Sequence, residues 1–350
     1  MKIWSRQAAL IAFSAWLCLF TLPSAKVWGY DGDASYCSSW SFCDPCTFGG
    51  LEVGGEFIWW KPCLDHLEYA VIFDLPGIEK RKVRHKTLCP SWEPGGRVWV
   101  YAPSIFCGCC GLSASWTGIY SRDSASTSVP EFSDKRIIVP PLGDALTGIV
   151  DEVEACWRVH YYDYDVLAAF PCRFGNCSIF RPFFGFAGLT LEQKLHLEVE
   201  AEEAGSDVKH DIKWKSNLYA FGLRVGAEYE CKVANGLSLF GKCSTSVLTG
   251  EPDTKNVQVG EFPSEQKSVL KVSENECYRV YPGYHLSAGA IYHCCIFDAD
   301  FALRLGYEFV EWHNLPHHRR FIRGDPRQGT GSTDRTFGWQ GLLVGGSITF

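Results

Sequence analysis

Beyond its first 30 residues, the sequence has no long apolar run. No later segment contains eighteen uninterrupted apolar residues, although 46% of the 350 residues are hydrophobic. A membrane-spanning helix needs about 20 such residues, so the sequence excludes membrane helices after the N-terminus. The mean hydropathy of −0.06 with 15% aromatic residues fits an exported β-protein, because strands can spread their apolar residues by alternation.

The sequence also lacks an excess of positive charge and any convincing catalytic motif. A net charge of −7 argues against a nucleic-acid partner, because a nucleic-acid binder normally presents a basic face. A nucleophile elbow, a phosphate-binding glycine loop and a zincin helix are all absent. Cys43 and Cys46, or His293 with Cys294 and Cys295, could ligate zinc, but neither group has a second pair at finger spacing. We therefore expect no enzyme, no cofactor and no metal site.

The N-terminus has the layout of a secretory signal peptide. Lys2 and Arg6 precede an apolar run over residues 8–22, followed by Pro23. We expect a signal peptide over residues 1–29 with cleavage near 25–29. A cysteine-rich segment over residues 30–48 and the main part of the chain over 49–350 would follow. An N-terminal membrane anchor is the alternative, but the apolar run is short for one.

The last fourteen residues alternate as a strand between lipid and water would. One face carries Leu342, Val344, Ile348 and Phe350, and the other carries Gly341, Gly345, Ser347 and Thr349. A terminal Phe350 on such a strand is typical of the assembly signal of outer-membrane barrels. The alternative, an edge strand of a soluble β-domain, depends on what the rest of the chain contains.

Two further segments repeat this alternation and share one pattern. Residues 223–229 and 303–309 both read apolar-Arg-apolar-Gly-x-Glu-aromatic. With eight weaker candidates the count is eleven strands, and bacterial barrels have an even number. The sequence thus predicts an all-β, transmembrane antiparallel β-barrel of about 12 strands (10–14). This outer-membrane β-barrel is expected over residues 49–350, after a cysteine-rich periplasmic segment or first strand over 30–48.

Connection lengths alternate as well. Long segments are expected near residues 75–94, 122–151, 203–216, 250–279 and 313–336, and short ones near 106–111, 171–177, 231–236 and 295–298. Short turns belong to the periplasmic side of such barrels. We therefore expect the C-terminus and the short turns at the periplasmic face.

This topology places most cysteines at one rim. Of the 17 cysteines, one, Cys18, lies in the expected signal peptide. The periplasmic rim is expected to hold Cys37, Cys43, Cys46, Cys107, Cys109, Cys110, Cys172, Cys177, Cys231, Cys294 and Cys295. In an oxidising compartment these are disulfide candidates. They could link barrels to each other or to other envelope proteins, or pair locally and staple turns.

Several ordered segments resemble one known family. They are GGEFIWWKP (54–62), LEYA (67–70), WEPGGRV (92–98), FRPFFG (180–185), WKSNLYAFGLRVG (214–226) and LSLFG (237–241), with the Phe350 terminus. Together they resemble the major outer-membrane protein-like, pore-forming family of Legionella and the environmental Chlamydiae. The resemblance implies an outer-membrane porin that is often an abundant surface protein. The cysteine content is similar to the chlamydial branch, whose envelopes rely on disulfide cross-links.

Function is expected on the inner wall of the barrel. The pore-lining candidates are Arg158, His160, Arg224, Glu228, Lys242, His285, Arg304 and Glu308. Their mixed charges suggest an electric field across a narrow lumen rather than strong ion selectivity. Each of these residues could instead form a structural salt bridge that braces the wall. The sequence therefore predicts an outer-membrane porin for small hydrophilic solutes or ions. Its expected partners are the surrounding lipid and, if it oligomerises, further copies of the same chain. The alternative is a non-conducting structural or adhesive surface protein.

Overall fold

A computed structural model describes residues 50–64, 67–74, 83–106, 110–129, 135–138, 149–174, 177–203, 206–261, 267–275, 278–296, 299–316 and 335–350. The expected signal peptide and N-terminal segment, with Cys37, Cys43 and Cys46, lie outside these ranges, as do Cys107 and Cys109. The strands are β1 (Glu52–Leu64), β2 (Glu68–Asp74), β3 (Val83–Thr87), β4 (Glu93–Phe106), β5 (Cys110–Ser128), β6 (Lys135–Ile138), β7 (Ile149–Ala169), β8 (Cys172–Phe174), β9 (Ser178–Glu203), β10 (Ser206–Ala234), β11 (Leu237–Glu261), β12 (Lys267–Asn275), β13 (Arg279–Ile296), β14 (Ala299–Leu315) and β15 (Arg335–Thr349). A search of these ranges for helices long and apolar enough to span a membrane finds none.

Ten of these strands close into a ring. Their order is β1, β4, β5, β7, β9, β10, β11, β13, β14 and β15, and every neighbouring pair is antiparallel. The first and last strands then pair over their whole length, from Glu52 opposite Thr349 to Leu64 opposite Phe337. The predicted β-barrel is confirmed, and its ring lies at the lower end of the expected range of strand numbers.

The remaining strands attach to this ring. β2 pairs with β3 and β6, and β6 continues onto β7 through Ile137 opposite Val150. β8 pairs with the start of β9, and β12 pairs with the far end of β11. Buried Tyr69 on β2 donates a hydrogen bond to the Ser126 carbonyl at 3.3 Å, so this extra sheet packs onto β5.

Side chains alternate between the outside and the interior along each ring strand. On β10 the exposed Tyr219, Phe221 and Leu223 alternate with the buried Leu218 and Ala220. Leu303, Leu305 and Tyr307 on β14 and Leu342 and Val344 on β15 are exposed in the same way. The apolar side chains face outward because lipid, rather than water, surrounds a membrane barrel.

The two ends of the ring differ in the length of their connections. β10 and β11 are joined by a tight turn at Asn235 and Gly236, where Gly236 adopts a positive φ of 73°. Short connections also separate β4 from β5 and β13 from β14 at this end, and β15 ends there at Thr349. This end has the features of a periplasmic rim.

The opposite end is more regular than the sequence suggested. The predicted long loop over residues 203–216 is wrong, because β9 and β10 continue as a paired hairpin to Glu203 opposite Ser206. Buried Val208, Ile212 and Trp214 face inward here while charged residues face outward. The many charged residues of this segment suggested a loop, although its side chains continue to alternate between the two faces with a period of two.

Candidate functional site: the barrel lumen

An aromatic core fills the outer half of the lumen. Its fully buried members are Trp60, Trp157, Tyr161, Trp312, Phe337 and Trp339. The Trp312 indole N–H donates a hydrogen bond to the Tyr161 hydroxyl at 3.1 Å, and the Tyr161 and Trp339 rings lie 5.7 Å apart. Tyr161 lies on β7 and Trp312 on β14, which are five positions apart in the ring of ten. Side chains from opposite walls therefore meet.

Arg97 on β4 connects several walls just below the aromatic core. Its guanidinium donates to Glu56 on β1 and to Glu308 on β14, each at 2.9 Å, and to the Thr117 hydroxyl on β5 at 2.8 Å. His285 on β13 contacts the other oxygen of Glu308. Both carboxylates are buried, so this group ties five of the ten strands together across the lumen.

A second set of ion pairs continues toward the periplasmic rim. Arg304 on β14 contacts Glu228 on β10 at 3.1 Å and lies over the Phe240 ring at 4.5 Å. Arg181 on β9 pairs with the same Glu228 at 3.5 Å and with Glu230 at 3.2 Å. Opposite charges are thus paired through the middle of the barrel, and the mixed signs noted in the sequence meet as salt bridges.

Arg224 on β10 forms a separate buried triad with β7. It donates to Asp165 at 2.7 Å, to Asp163 at 2.9 Å and 3.0 Å, and to the Ser246 hydroxyl at 2.8 Å. Asp165 also accepts a hydrogen bond from Ser115 at 2.9 Å. A buried charge is costly unless it is paired, and here each one has a partner.

A cavity of about 120 Å³ lies among these charges. It reaches from Arg97 and Arg224 to residues near the periplasmic ends of the strands, including Glu52 and Tyr101. Its polar lining and size suit several water molecules. The lumen is therefore lined by charged groups on the periplasmic side, whereas aromatic side chains fill much of its outer side.

The structure places most of the predicted lining residues in this lumen, but not all. Arg224, Glu228, Lys242, His285, Arg304 and Glu308 surround the cavity. Arg158 and His160 lie on the outer face of β7, because Trp157, Val159 and Tyr161 are the buried residues of that strand. Placing Arg158 and His160 in the lumen is thus an error of one residue in the facing of β7.

Other lumen charges were missed from the sequence. They are Glu56, Arg97, Asp163, Asp165, Arg181, Glu230 and His293. Arg97 lies on β4 and Asp163 on β7. The signal was available in the alternation of β4, where outward Val98 and Val100 place Arg97 inward.

Predicted disulfide candidates gather at the periplasmic rim. Cys110 begins β5, Cys172 begins β8 and Cys177 precedes β9, whereas Cys294 and Cys295 lie just before Ile296 at the end of β13. Cys231 lies three residues before the end of β10. Among the described residues, Cys110, Cys172, Cys231 and Cys294 carry free thiols. Their shared location agrees with the topology expected from the sequence, and disulfide formation stays a prediction.

A closed antiparallel ring with apolar side chains outside and paired charges inside defines an outer-membrane β-barrel. Residues 43–350 match the family described as Legionella pneumophila major outer membrane protein precursor. The chain belongs to this family, which confirms the resemblance noted in the sequence and the location in the bacterial outer membrane.

Comparison with solved structures finds other outer-membrane proteins at low similarity. The Escherichia coli outer membrane protease OmpT is 7% identical over 87% of this chain and 98% of its own, with a TM-score of 0.40. A Pseudomonas aeruginosa FadL homologue is 8% identical over 86% of this chain and 90% of its own, with a TM-score of 0.22. The TodX monoaromatic hydrocarbon channel mutant is 7% identical over 91% and 94%, with a TM-score of 0.26. A comparison with curated proteins finds no match.

Proposed function

We propose that this protein is a structural component of the outer membrane whose lumen is closed to solutes. The observation that carries the proposal is the direct contact of Tyr161 and Trp312 from opposite walls of the barrel. Both side chains are 1% exposed or less. A solute that crosses the barrel would have to displace this aromatic core.

The ion pairs below the core make such a displacement costly. Removing one partner of a buried ion pair costs about 3–5 kcal/mol, and Arg97 alone is paired with two buried carboxylates. A ring of ten strands is also only slightly wider than the eight-stranded barrels that side chains fill completely. These features favour a rigid wall over a passage.

A planar-bilayer recording of the purified protein tests the closed lumen. We expect no stepwise conductance from the unaltered barrel, and steps from a Tyr161→Ala/Trp312→Ala double variant whose core has been opened. Leu303→Ala, on the lipid face, serves as the control and should stay silent. Reproducible steps from the unaltered protein would contradict the proposal.

We also propose that disulfides at the periplasmic rim link this barrel to its own copies or to other envelope proteins. The support is the shared position of Cys110, Cys172, Cys231 and Cys294, and the oxidising character of the periplasm. Local pairs that staple turns are the competing arrangement. The barrel would then supply mechanical strength rather than transport.

Non-reducing electrophoresis of intact envelopes tests this linkage. We expect high-mass bands that collapse to the monomer on reduction and that fade when the eleven rim candidates are replaced by serine. Cys89→Ser is a matched control, because Cys89 is exposed but precedes β4 at the opposite end of the barrel. Monomer bands alone under non-reducing conditions would rule out cross-linking.

The second candidate function is the diffusion pore expected from the sequence. The polar cavity on the periplasmic side favours it, since charges such as Lys242 and Glu228 there could contact passing ions. The bilayer recording separates the two functions. Neither candidate assigns an enzymatic role to the protein.

A further inference from the structure

The outer surface of the barrel carries a straight row of cations. Register pairs Arg122 on β5 with Arg158 on β7, Arg158 with Lys194 on β9, Lys194 with Lys215 on β10, and Lys215 with Lys255 on β11. Residues directly opposite each other on one face have Cβ atoms about 5 Å apart. We call these five residues the basic row.

The basic row lies one step outside a layer of aromatic side chains. Tyr120 lies two residues before Arg122, and His160 lies two residues after Arg158, on the same outer face. The rings of Tyr120 and His160 lie 4.7 Å apart. Closer to the periplasm, the rings of Trp116 and Tyr162 stack at 5.9 Å. Aromatic belts mark the boundary between hydrocarbon and headgroups, so Arg122 and Arg158 are at the height of lipid headgroups.

Height along β10 agrees with this placement. Tyr219 and Tyr229 lie ten residues apart on the lipid face, and a tilted strand crosses the hydrocarbon in about 9–11 residues. Lys215 lies four residues beyond Tyr219, away from the periplasmic rim. The headgroups at this level belong to the outer leaflet.

Part of the basic row is compensated by nearby carboxylates. Glu192 contacts Lys194 at 2.9 Å and Lys215 at 3.1 Å, and Asp253 contacts Lys255 at 2.8 Å. These two carboxylates offset two of the three lysine charges, so the lysine end keeps a net positive charge.

The arginine end is not compensated. Arg122 and Arg158 are exposed and directly opposite each other, and no ion pair to either is found in the described part of the chain. Like charges directly opposite in a sheet destabilise it. An anion held between the two guanidinium groups would remove this repulsion.

We propose that Arg122, Arg158 and Lys194 bind the phosphate group of a phosphorylated lipid in the outer leaflet. Guanidinium groups suit phosphate because they donate paired hydrogen bonds. The wall below the aromatic layer is apolar, with exposed Val166, Phe184 and Phe186 in position to contact acyl chains. This continuity of headgroup and chain contacts selects a lipid over free phosphate.

Native mass spectrometry of the purified barrel in micelles tests the site with phosphatidic acid, a lipid phosphomonoester, and phosphatidylcholine of the same chains. We expect preferential retention of phosphatidic acid. One basic residue near an anionic surface changes affinity about fivefold, so Arg122→Gln/Arg158→Gln should weaken retention about 25-fold. Lys209→Gln, an exposed cation six residues beyond Lys215 on β10, should leave it unchanged.

Lipid-free stability separates binding from a purely structural role. Without lipid, Arg122→Gln/Arg158→Gln should unfold at the same or a higher denaturant concentration than the unaltered barrel, because repulsion is relieved. Equal retention of both lipids, equal loss in Lys209→Gln, or lower lipid-free stability of the double variant would each overturn the proposal. Displacement of phosphatidic acid by an equal concentration of inorganic phosphate would overturn the choice of a lipid.

Discussion

Arg224 offers the sharpest test of how the lumen is held together. Its side chain is 3% exposed, and those of Asp163 and Asp165 are 6% and 7% exposed. Arg224→Met removes the only cation that contacts these carboxylates in the described ion pairs and leaves two negative charges side by side. Breaking one buried ion pair costs about 3–5 kcal/mol, and we expect a loss of stability in this range.

A compensated variant distinguishes unpaired charge from lost packing. Adding Asp163→Asn and Asp165→Asn to Arg224→Met removes the charges while keeping volume and hydrogen-bonding groups. Replacement of an entire buried ion group is often close to neutral, so the triple variant should recover most of the loss. Asp163→Asn/Asp165→Asn alone is the matched control and should be destabilised, because it leaves Arg224 unpaired.

Denaturant unfolding in micelles, followed by tryptophan fluorescence and by heat-modifiable gel migration, measures these differences. A shift of the midpoint at constant slope reports stability alone. A loss below about 1 kcal/mol for Arg224→Met, as for an exposed ion pair, would refute the reasoning. A triple variant no more stable than the single variant would assign the loss to packing instead.

Three further predictions concern the lipid face, the aromatic core and the periplasmic turn. Leu223→Lys, midway between Tyr219 and Tyr229, should destabilise the barrel by about 2–4 kcal/mol, and the folded band on unheated gels should weaken; Leu223→Ile is the control. Trp312→Phe should cost about 1 kcal/mol through the lost hydrogen bond and Trp312→Ala about 3–5 kcal/mol, by denaturant midpoint; an unchanged midpoint for Trp312→Phe would show that the hydrogen bond has no separate effect. Gly236→Val should cost about 1–2 kcal/mol because its φ is positive, whereas Gly241→Ala, on a position with open space, should unfold within a few tenths of a kcal/mol of the unaltered protein.

The parts of the fold that follow from alternation could be predicted. Along β10, β14 and β15, apolar residues that face outward alternate with small or charged residues that face inward, and this facing is as expected. The clustering of cysteines at one rim followed from the same strands, because strand direction determines which turns are short. Cross-lumen contacts such as Arg97 with Glu308, 211 residues apart, could not be predicted, since they depend on the closure of the ring.

The two errors at Arg158 and His160 have a physical cause. A charged residue in a membrane strand normally faces the lumen, because lipid penalises charge. β7 has 21 residues, however, and only about 9–11 of them are needed to cross the hydrocarbon. We infer that the outer face beyond the aromatic layer at Tyr120 and His160 meets lipid headgroups, where a cation is favourable.

At the height of Arg158 and His160, the inward face of β7 is apolar, although the inward face of a membrane barrel is usually polar. Trp157, Val159 and Tyr161 face inward because the core they enter is apolar, so both faces of the strand contain aromatic residues and neither is marked as lipid-facing. Facing then has to be inferred from the neighbours, and Ser121 on β5 is buried directly opposite Val159. A polar residue therefore faces inward and Arg122 outward. When the strands of a barrel extend beyond the bilayer, a charged residue indicates the lumen face only within the hydrocarbon region bounded by the aromatic layer. Beyond that layer, a charged residue indicates the outer surface that meets the headgroups.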